Sequence, residues 1–225
     1  MKDYLSKDTK LNEFITAFPS MEAFQQQFTL VNFDASKREQ LVQALMEQYT
    51  KENLEVPIVF SELLNQDTYT VTTGHQLALY GGPKYFIHKI VSIIKLAEDL
   101  STKFTGKKVL PIFWLASEDH DYEEINSLNQ FGKKLQSIKD ATGPVGRLAN
   151  TVFEDTLKDF KELLGTSQDA LSLIQIFEQA FKTKNWTAAT RYWVQKLFGD
   201  KLIIIDGDDR NLKSIYSNQV KDELL

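Results

Sequence analysis

The chain has 225 residues, 42% of them hydrophobic and 25% charged, with a formal net charge of −5. That length supports a sizeable core in one or two domains, and the acidic balance argues against nonspecific nucleic-acid binding, which needs a cationic face. The lack of cysteine excludes disulfides, thiolate metal sites and a cysteine nucleophile, and no apolar run approaches a membrane span.

The opening MKDYLSKDTKLNEF has no apolar core of signal-peptide type, so the expected location is cytoplasmic. Residues 1–67 read as a helical lead-in. Phe14, Phe18, Met21 and Phe24 give an apolar edge broken at Pro19, and Lys37 to Lys51 places Leu41, Leu45 and Gln48/Tyr49 on one helical face. Neither segment offers a catalytic constellation.

The central stretch follows. Thr70 to Thr73 is a short β-branched strand that Gly74 is expected to end. Gly81-Gly82-Pro83 reads as a helix entrance, with proline at the first helical position, where no amide donor is lost. Phe86, Ile90, Ile93, Ala97 and Leu100 then recur on one face of a helix, with Lys84, His88, Ser92 and Lys95 along a polar stripe. Free amides at that helix start, with Lys84 beside them, suit an anion such as phosphate. A well-punctuated helix with no ligand accounts for the same residues.

Val109 to Ala116 is an apolar run interrupted only by Pro111, a buried strand whose first residues are expected outside the ladder. It stops at Ser117-Glu118-Asp119-His120-Asp121. In a right-handed βαβ unit both strands run the same way, so the two polar loops leave from one edge. The Gly82 amide, His88 and His120 are therefore expected to border one cleft, with Trp114 buried beneath it. Asp121 and Glu124 have capping-box spacing, and Ser117 or Asp119 suits a turn cap. Capping does not require a histidine between two aspartates. Neighbouring carboxylates favour an imidazolium, an arrangement suited to proton transfer or to binding an amine.

Beyond this unit, residues 126–149 suggest short strands or a hairpin, with Thr142-Gly143-Pro144 as a turn. Arg147 suits a phosphate, a carboxylate or a plain surface ion pair. Three helices are predicted near 152–164, 167–182 and 186–198, with Trp186, Tyr192, Trp193 and Leu197 as core. Leu202 to Ile205 is a buried strand. Asp206-Gly207-Asp208-Asp209 lacks the glycine and glutamate positions of an EF-hand and reads as a strand-to-helix turn capped by Asp208 or Asp209. Leu212, Ile215, Tyr216, Val220 and Leu224 then call for an apolar partner.

TGHQ, GGPKYFIHKIVSIIKLA and PIFWLASEDHDYEEIN together resemble the bacillithiol-biosynthesis cysteine-adding family, the cysteine ligases. The family pattern is close to TGQQ-x-GL-x-x-GPLY-x-x-x-K, with a later FW-x-A-x-EDHD-x-x-E-[IV]-N. His75 stands where glutamine is usual, and Lys84 where leucine is. The resemblance implies a distant kinship with class I nucleotidyltransferases, whose HIGH motif follows the first strand of a Rossmann-like core. Tyr85-Phe86-Ile87-His88 occupies that place, with His88 as the second histidine. It further implies joining cysteine to glucosaminyl malate, with ATP or another nucleotide as the activating cofactor. Family members are about twice this length, so an N-terminal fragment is expected, inactive alone. The second half of the core, any KMSKS-like loop and the family's coiled-coil segment would be missing, and a homodimer would form through that absent C-terminal part.

The fold expected is α/β: a Rossmann-like parallel sheet core with an N-terminal helical lead-in and a helical insertion. Its parts are the lead-in at 1–67, the first half of the core at 68–150, the insertion at 151–200 and a truncated return to the core at 201–225. His88, Asp119 and His120 are the catalytic candidates. Gly74, His75, Gln76, Gly81, Gly82, Lys84, Glu118 and Asp121 are the substrate- or phosphate-binding candidates. The partners are small molecules, not nucleic acid or membrane. A metal site from His75, His88 and the acidic cluster is chemically conceivable, but HExxH-type spacing is missing and none is expected. Two other functions fit the residues: a related ligase acting on a different acid, and a noncatalytic sugar- or nucleotide-binding module.

Overall fold

Local capping signals set the first helices. The computed structural model describes residues 1–224. A single turn, α1 (Lys2–Leu5), precedes α2 (Met21–Leu30), which starts where Ser20 accepts the Ala23 amide at 3.1 Å. The long α3 (Ala35–Lys51) starts at Asp34, which accepts from the Lys37 amide at 2.9 Å. Side-chain caps of this kind satisfy amides that the helix itself leaves free.

The core unit is β1 (Thr68–His75), α4 (Tyr85–Lys103) and β2 (Lys108–Leu115). A short helix α5 (Tyr122–Ile125) and the hairpin β3 (Ser127–Gln130) and β4 (Lys133–Gln136) follow. Then come α6 (Thr156–Leu164), α7 (Gln168–Ala180), α8 (Trp186–Phe198), β5 (Ile203–Asp206), α9 (Arg210–Ile215) and α10 (Ser217–Leu224). The main sheet has the order β1-β2-β5 and is parallel throughout, with His75 opposite Leu115 and Leu115 opposite Asp206. All three strands therefore end along one line.

The helical periodicity of α4 is met residue for residue: Phe86, Ile90, Ile93, Ala97 and Leu100 are its buried positions. Phe86 packs on Phe113 of β2, ring centroids 5.1 Å apart. Two strand expectations need correction. Gly74 does not end β1, because it remains paired with Trp114 and the ladder runs on to His75. Pro111 lies inside the β1–β2 ladder, opposite Val71. Lys108 N and Ala116 N donate toward β1, to Asp67 O and His75 O, whereas Val109 N turns the other way, to Ser101 Oγ. Pro111 shares the side of Val109, where β5 begins only at the next residue, Ile112. Its missing donor thus removes no ladder bond.

The outer edge of β5 is closed by α3 rather than by another strand. Tyr49 Oη accepts the Ile204 amide at 3.0 Å, and Gln48 Oε1 accepts the Asp206 amide at 2.9 Å. Burial pushes the Tyr49 hydroxyl up to about 12, so it stays a neutral phenol. The fully buried Arg191 of α8 backs this contact, donating to Gln48 Oε1 at 2.9 Å and pairing with Glu52 at 2.8 Å. Burial in turn raises the Glu52 carboxyl.

Other differences are local. The hairpin turns at Phe131-Gly132, both with positive φ, as a two-residue hairpin requires. Thr142-Gly143-Pro144 is a separate bend. Trp186 and Trp193 are core, but Tyr192 is only half-buried and Leu197 is exposed. At the C-terminal end Leu212 is buried and Ile215 packs against the core, while Tyr216, Val220 and Leu224 face solvent.

Candidate active site

The loop after β1 is mostly packed away. His75 is buried, and its Nδ1–H donates to Gln76 O at 2.9 Å. Its ring lies 5.3 Å from that of Tyr85 and 5.0 Å from that of Phe86. Desolvation, the largest influence, holds the imidazole below its usual pKa. Leu77, Ala78, Leu79 and Tyr80 are buried in succession, and Trp186 Nε1 donates to Leu77 O at 2.6 Å.

The glycine pair completes a left-handed turn, with φ of 53°, 83° and 54° at Tyr80, Gly81 and Gly82. A Cβ on Gly82 would stand 2.5 Å from Ala78 Cβ, and one on Gly81 3.2 Å from the Trp193 ring. The Gly81 amide donates to Ala78 O at 3.0 Å and the Gly82 amide to Leu79 O at 2.9 Å. These two amides are therefore engaged, which corrects the expectation that they are free for an anion. Pro83 also stands outside the helix, which begins at Tyr85. Lys84 and His88 are both exposed at this helix start, and Lys89 Nζ reaches Gly74 O at 3.2 Å.

The loop after β2 presents its polar groups. Asp119 Oδ1 accepts the amides of His120 at 2.7 Å and Asp121 at 3.2 Å, a side-chain-stabilised turn. Asp121 caps α5 through the Glu124 amide at 3.1 Å, as its spacing predicts. Ser117 is buried; its hydroxyl donates to Asp206 Oδ1 and accepts the Asp208 amide at 3.1 Å. The His120 ring is exposed beyond these capped carboxylates.

The two loops do meet: Gln76 Nε2 donates to Asp119 Oδ2 at 3.4 Å. Among the described residues, no hydrogen bond or ion pair joins His88 to this junction. Trp114 is half-buried, not fully buried as expected, and Glu118 holds Oε2 out of water with no hydrogen-bond partner among the described residues. Arg147 takes the ion-pair role, gripping Asp208 at 2.5 and 3.1 Å, with Lys213 on the same carboxylate at 2.8 Å. The Arg147 hydrogen bond is the main reason Asp208 titrates below its usual range. Asp209 caps α9 through the Leu212 amide at 2.8 Å.

Gln48 and Arg191 hold the end of β5; the sequence expectations give Gln48 only as a helix-face position and do not include Arg191. Arg191 lies three residues from both Ala188 and Val194, on an apolar face, and an arginine there must find partners; that was the available signal. Among the described residues, no group of three or more His, Cys, Asp or Glu side chains is placed to hold a metal ion. Among the described residues, no helix is long and apolar enough to cross a membrane.

Parallel strands joined through α4, with polar loops at a common edge, define a Rossmann-like α/β domain. The chain belongs to the BshC family: it is matched over residues 1–225 by the family described as bacillithiol biosynthesis BshC, N-terminal Rossmann-like domain. A relative from Flavobacterium johnsoniae named "Putative cysteine ligase BshC" is 39% identical over 100% of this chain and 44% of that protein. One of the same name from Flavobacterium psychrophilum is 41% identical over 99% of this chain and 43% of its own length. A third, from Bacillus cytotoxicus, is 28% identical over 95% and 42%. The chain thus spans less than half the length of the curated relatives it matches.

Proposed function

We propose that this chain is the N-terminal part of a cytoplasmic cysteine ligase that joins cysteine to glucosaminyl malate in bacillithiol biosynthesis. The reading is supported by the family match along the whole chain and, in the molecule, by the Gln76–Asp119 contact that brings both motif loops to one edge. An amine must be neutral to attack a carboxyl carbon. His120, exposed beside Asp119, accepts its proton, and Asp119 fixes the His120 amide and hence the direction of the side chain.

A ligase of this kind draws on a nucleotide, with ATP as the candidate, to activate a carboxyl group. With the Gly81 and Gly82 amides engaged, Lys84 and the first turn of α4 are the groups of this chain that would hold its phosphates, with His88 on the same exposed side. His75 acts by orienting Gln76. Gly74 keeps the strand end close to Trp114, and Glu118 and Asp121 flank the catalytic pair. Homodimerisation would involve the length of the relatives outside this chain.

The test is a mass-spectrometric assay of the whole enzyme with cysteine and glucosaminyl malate, with and without ATP. The expected result is a cysteine-extended product formed only with the nucleotide. No product under either condition would overturn the reading.

A further inference from the structure

Trp114 differs from the other tryptophans. Trp186 and Trp193 are each 1% exposed, whereas Trp114, at the end of the central strand, is only half-buried. Its register partner on β1 is Gly74, and on β5 it is Ile205, two residues before Gly207. Side chains two apart along a strand share a face, so the indole lies between Gly74 on one side and Ile205, with Gly207 beyond it, on the other. A Cβ at Gly74 would approach Trp114 Cδ1 to 3.7 Å, and one at Gly207 would approach Nε1 to 2.7 Å and collide with Glu118 Oε2. The indole edge and the Glu118 carboxylate therefore converge over Gly207. Glu118 Oε2 is buried there with no donor on it, which leaves the carboxylate short of a hydrogen bond.

A half-buried indole beside glycine, with a carboxylate at its edge, suits a ring that is apolar on one face and carries donors at its edge. A pyranose bearing an ammonium has that form: its C–H face lies on the indole, its cation is drawn to the π-system, and its N–H groups reach the carboxylate. We infer that Trp114, Glu118 and Gly207 form the aminosugar subsite, with the ring stacked on Trp114 and its amine or a hydroxyl donating to Glu118. This rests on the preceding reading that an aminosugar is a substrate. It puts the reacting amine on the same loop as Asp119 and His120.

The experiment is calorimetric titration of glucosaminyl malate into the chain, with intrinsic tryptophan fluorescence followed in parallel. Saturable binding is expected, weakened about tenfold to a hundredfold by Glu118→Gln, the range for a hydrogen bond to a charged group. Trp114→Ala and acetylation of the sugar amine should each weaken it by about tenfold. If Trp114→Ala lowers the thermal midpoint, Gly207→Ala, which crowds the same space, serves as the second variant. Undetectable binding, or wild-type affinity in Glu118→Gln, overturns the proposal. So does AMP binding that is lost in these variants while aminosugar binding is kept, which would make the indole a nucleobase platform. Turnover separates the two readings. Aminosugar binding without product from the whole enzyme defeats the ligase reading and leaves the subsite. Product with an unchanged KM for the aminosugar in Glu118→Gln defeats the subsite and leaves the ligase.

Discussion

The two loops that leave the same edge of the sheet are built to opposite plans. After β1, four consecutive side chains from Leu77 to Tyr80 are buried, and the glycine amides bond to carbonyls within the turn. After β2, the backbone is held by Asp119 and Asp121, and the His120 ring is left in solvent. Both loops carry motif residues, but packing explains those of the first and only some of those of the second. Glycine at 81 and 82 is what a tight turn of positive φ against Trp193 and Ala78 requires, Tyr80 stacks on Phe160 in the core, and His75 packs on Tyr85 and Phe86. Nothing in the packing calls for an imidazole at position 120.

Gly82→Ala should expose the contrast most strongly. A Cβ in the region of φ 54° and ψ −135°, essentially reserved for glycine, costs about 1–3 kcal/mol, and overpacking against Ala78 adds about 1–3 kcal/mol. Urea denaturation should therefore show a loss of about 3 kcal/mol. A loss below about 1 kcal/mol would mean the first loop is slack, and its glycines would again need a ligand to explain them.

A smaller effect is expected from His75. Burial lowers its folded pKa, so its contribution to stability is full above the unfolded value of about 6.5 and is lost as pH falls through the folded value. Between pH 7.5 and pH 5 the thermal midpoint should drop, and His75→Gln should flatten that part of the profile. An unchanged profile in the variant would place the acid sensitivity elsewhere and weaken the description of His75 as a buried neutral ring.

Much of this arrangement was legible in the sequence because it is local. The buried face of α4, the Asp121 cap and the strand at Ile203–Asp206 follow from spacing within a few residues. The parallel pairing of β1 with β2 followed from the handedness of the crossover. What escaped depends on distant partners. Gln48 reads as an ordinary helical residue until Arg191, 143 positions away, and the end of β5 are brought to it. The engaged amides of Gly81 and Gly82 were equally hidden, since a Gly-Gly-Pro string does not show that the turn before it closes on its own carbonyls. Pro111 looked like a strand boundary because the sequence does not say which side of β2 lacks a neighbour at that point.

The central claim is that the second loop carries chemistry while the first carries structure. It is tested most directly by His120→Ala in the whole enzyme, measuring turnover and thermal midpoint on the same preparation. A general acid or base contributes about a hundred- to ten-thousand-fold in rate, and an exposed side chain outside caps and cores changes stability by about 0.5 kcal/mol or less. The account predicts that loss of turnover with an unmoved midpoint. Turnover within about threefold of wild type, or a collapsed midpoint, would contradict it.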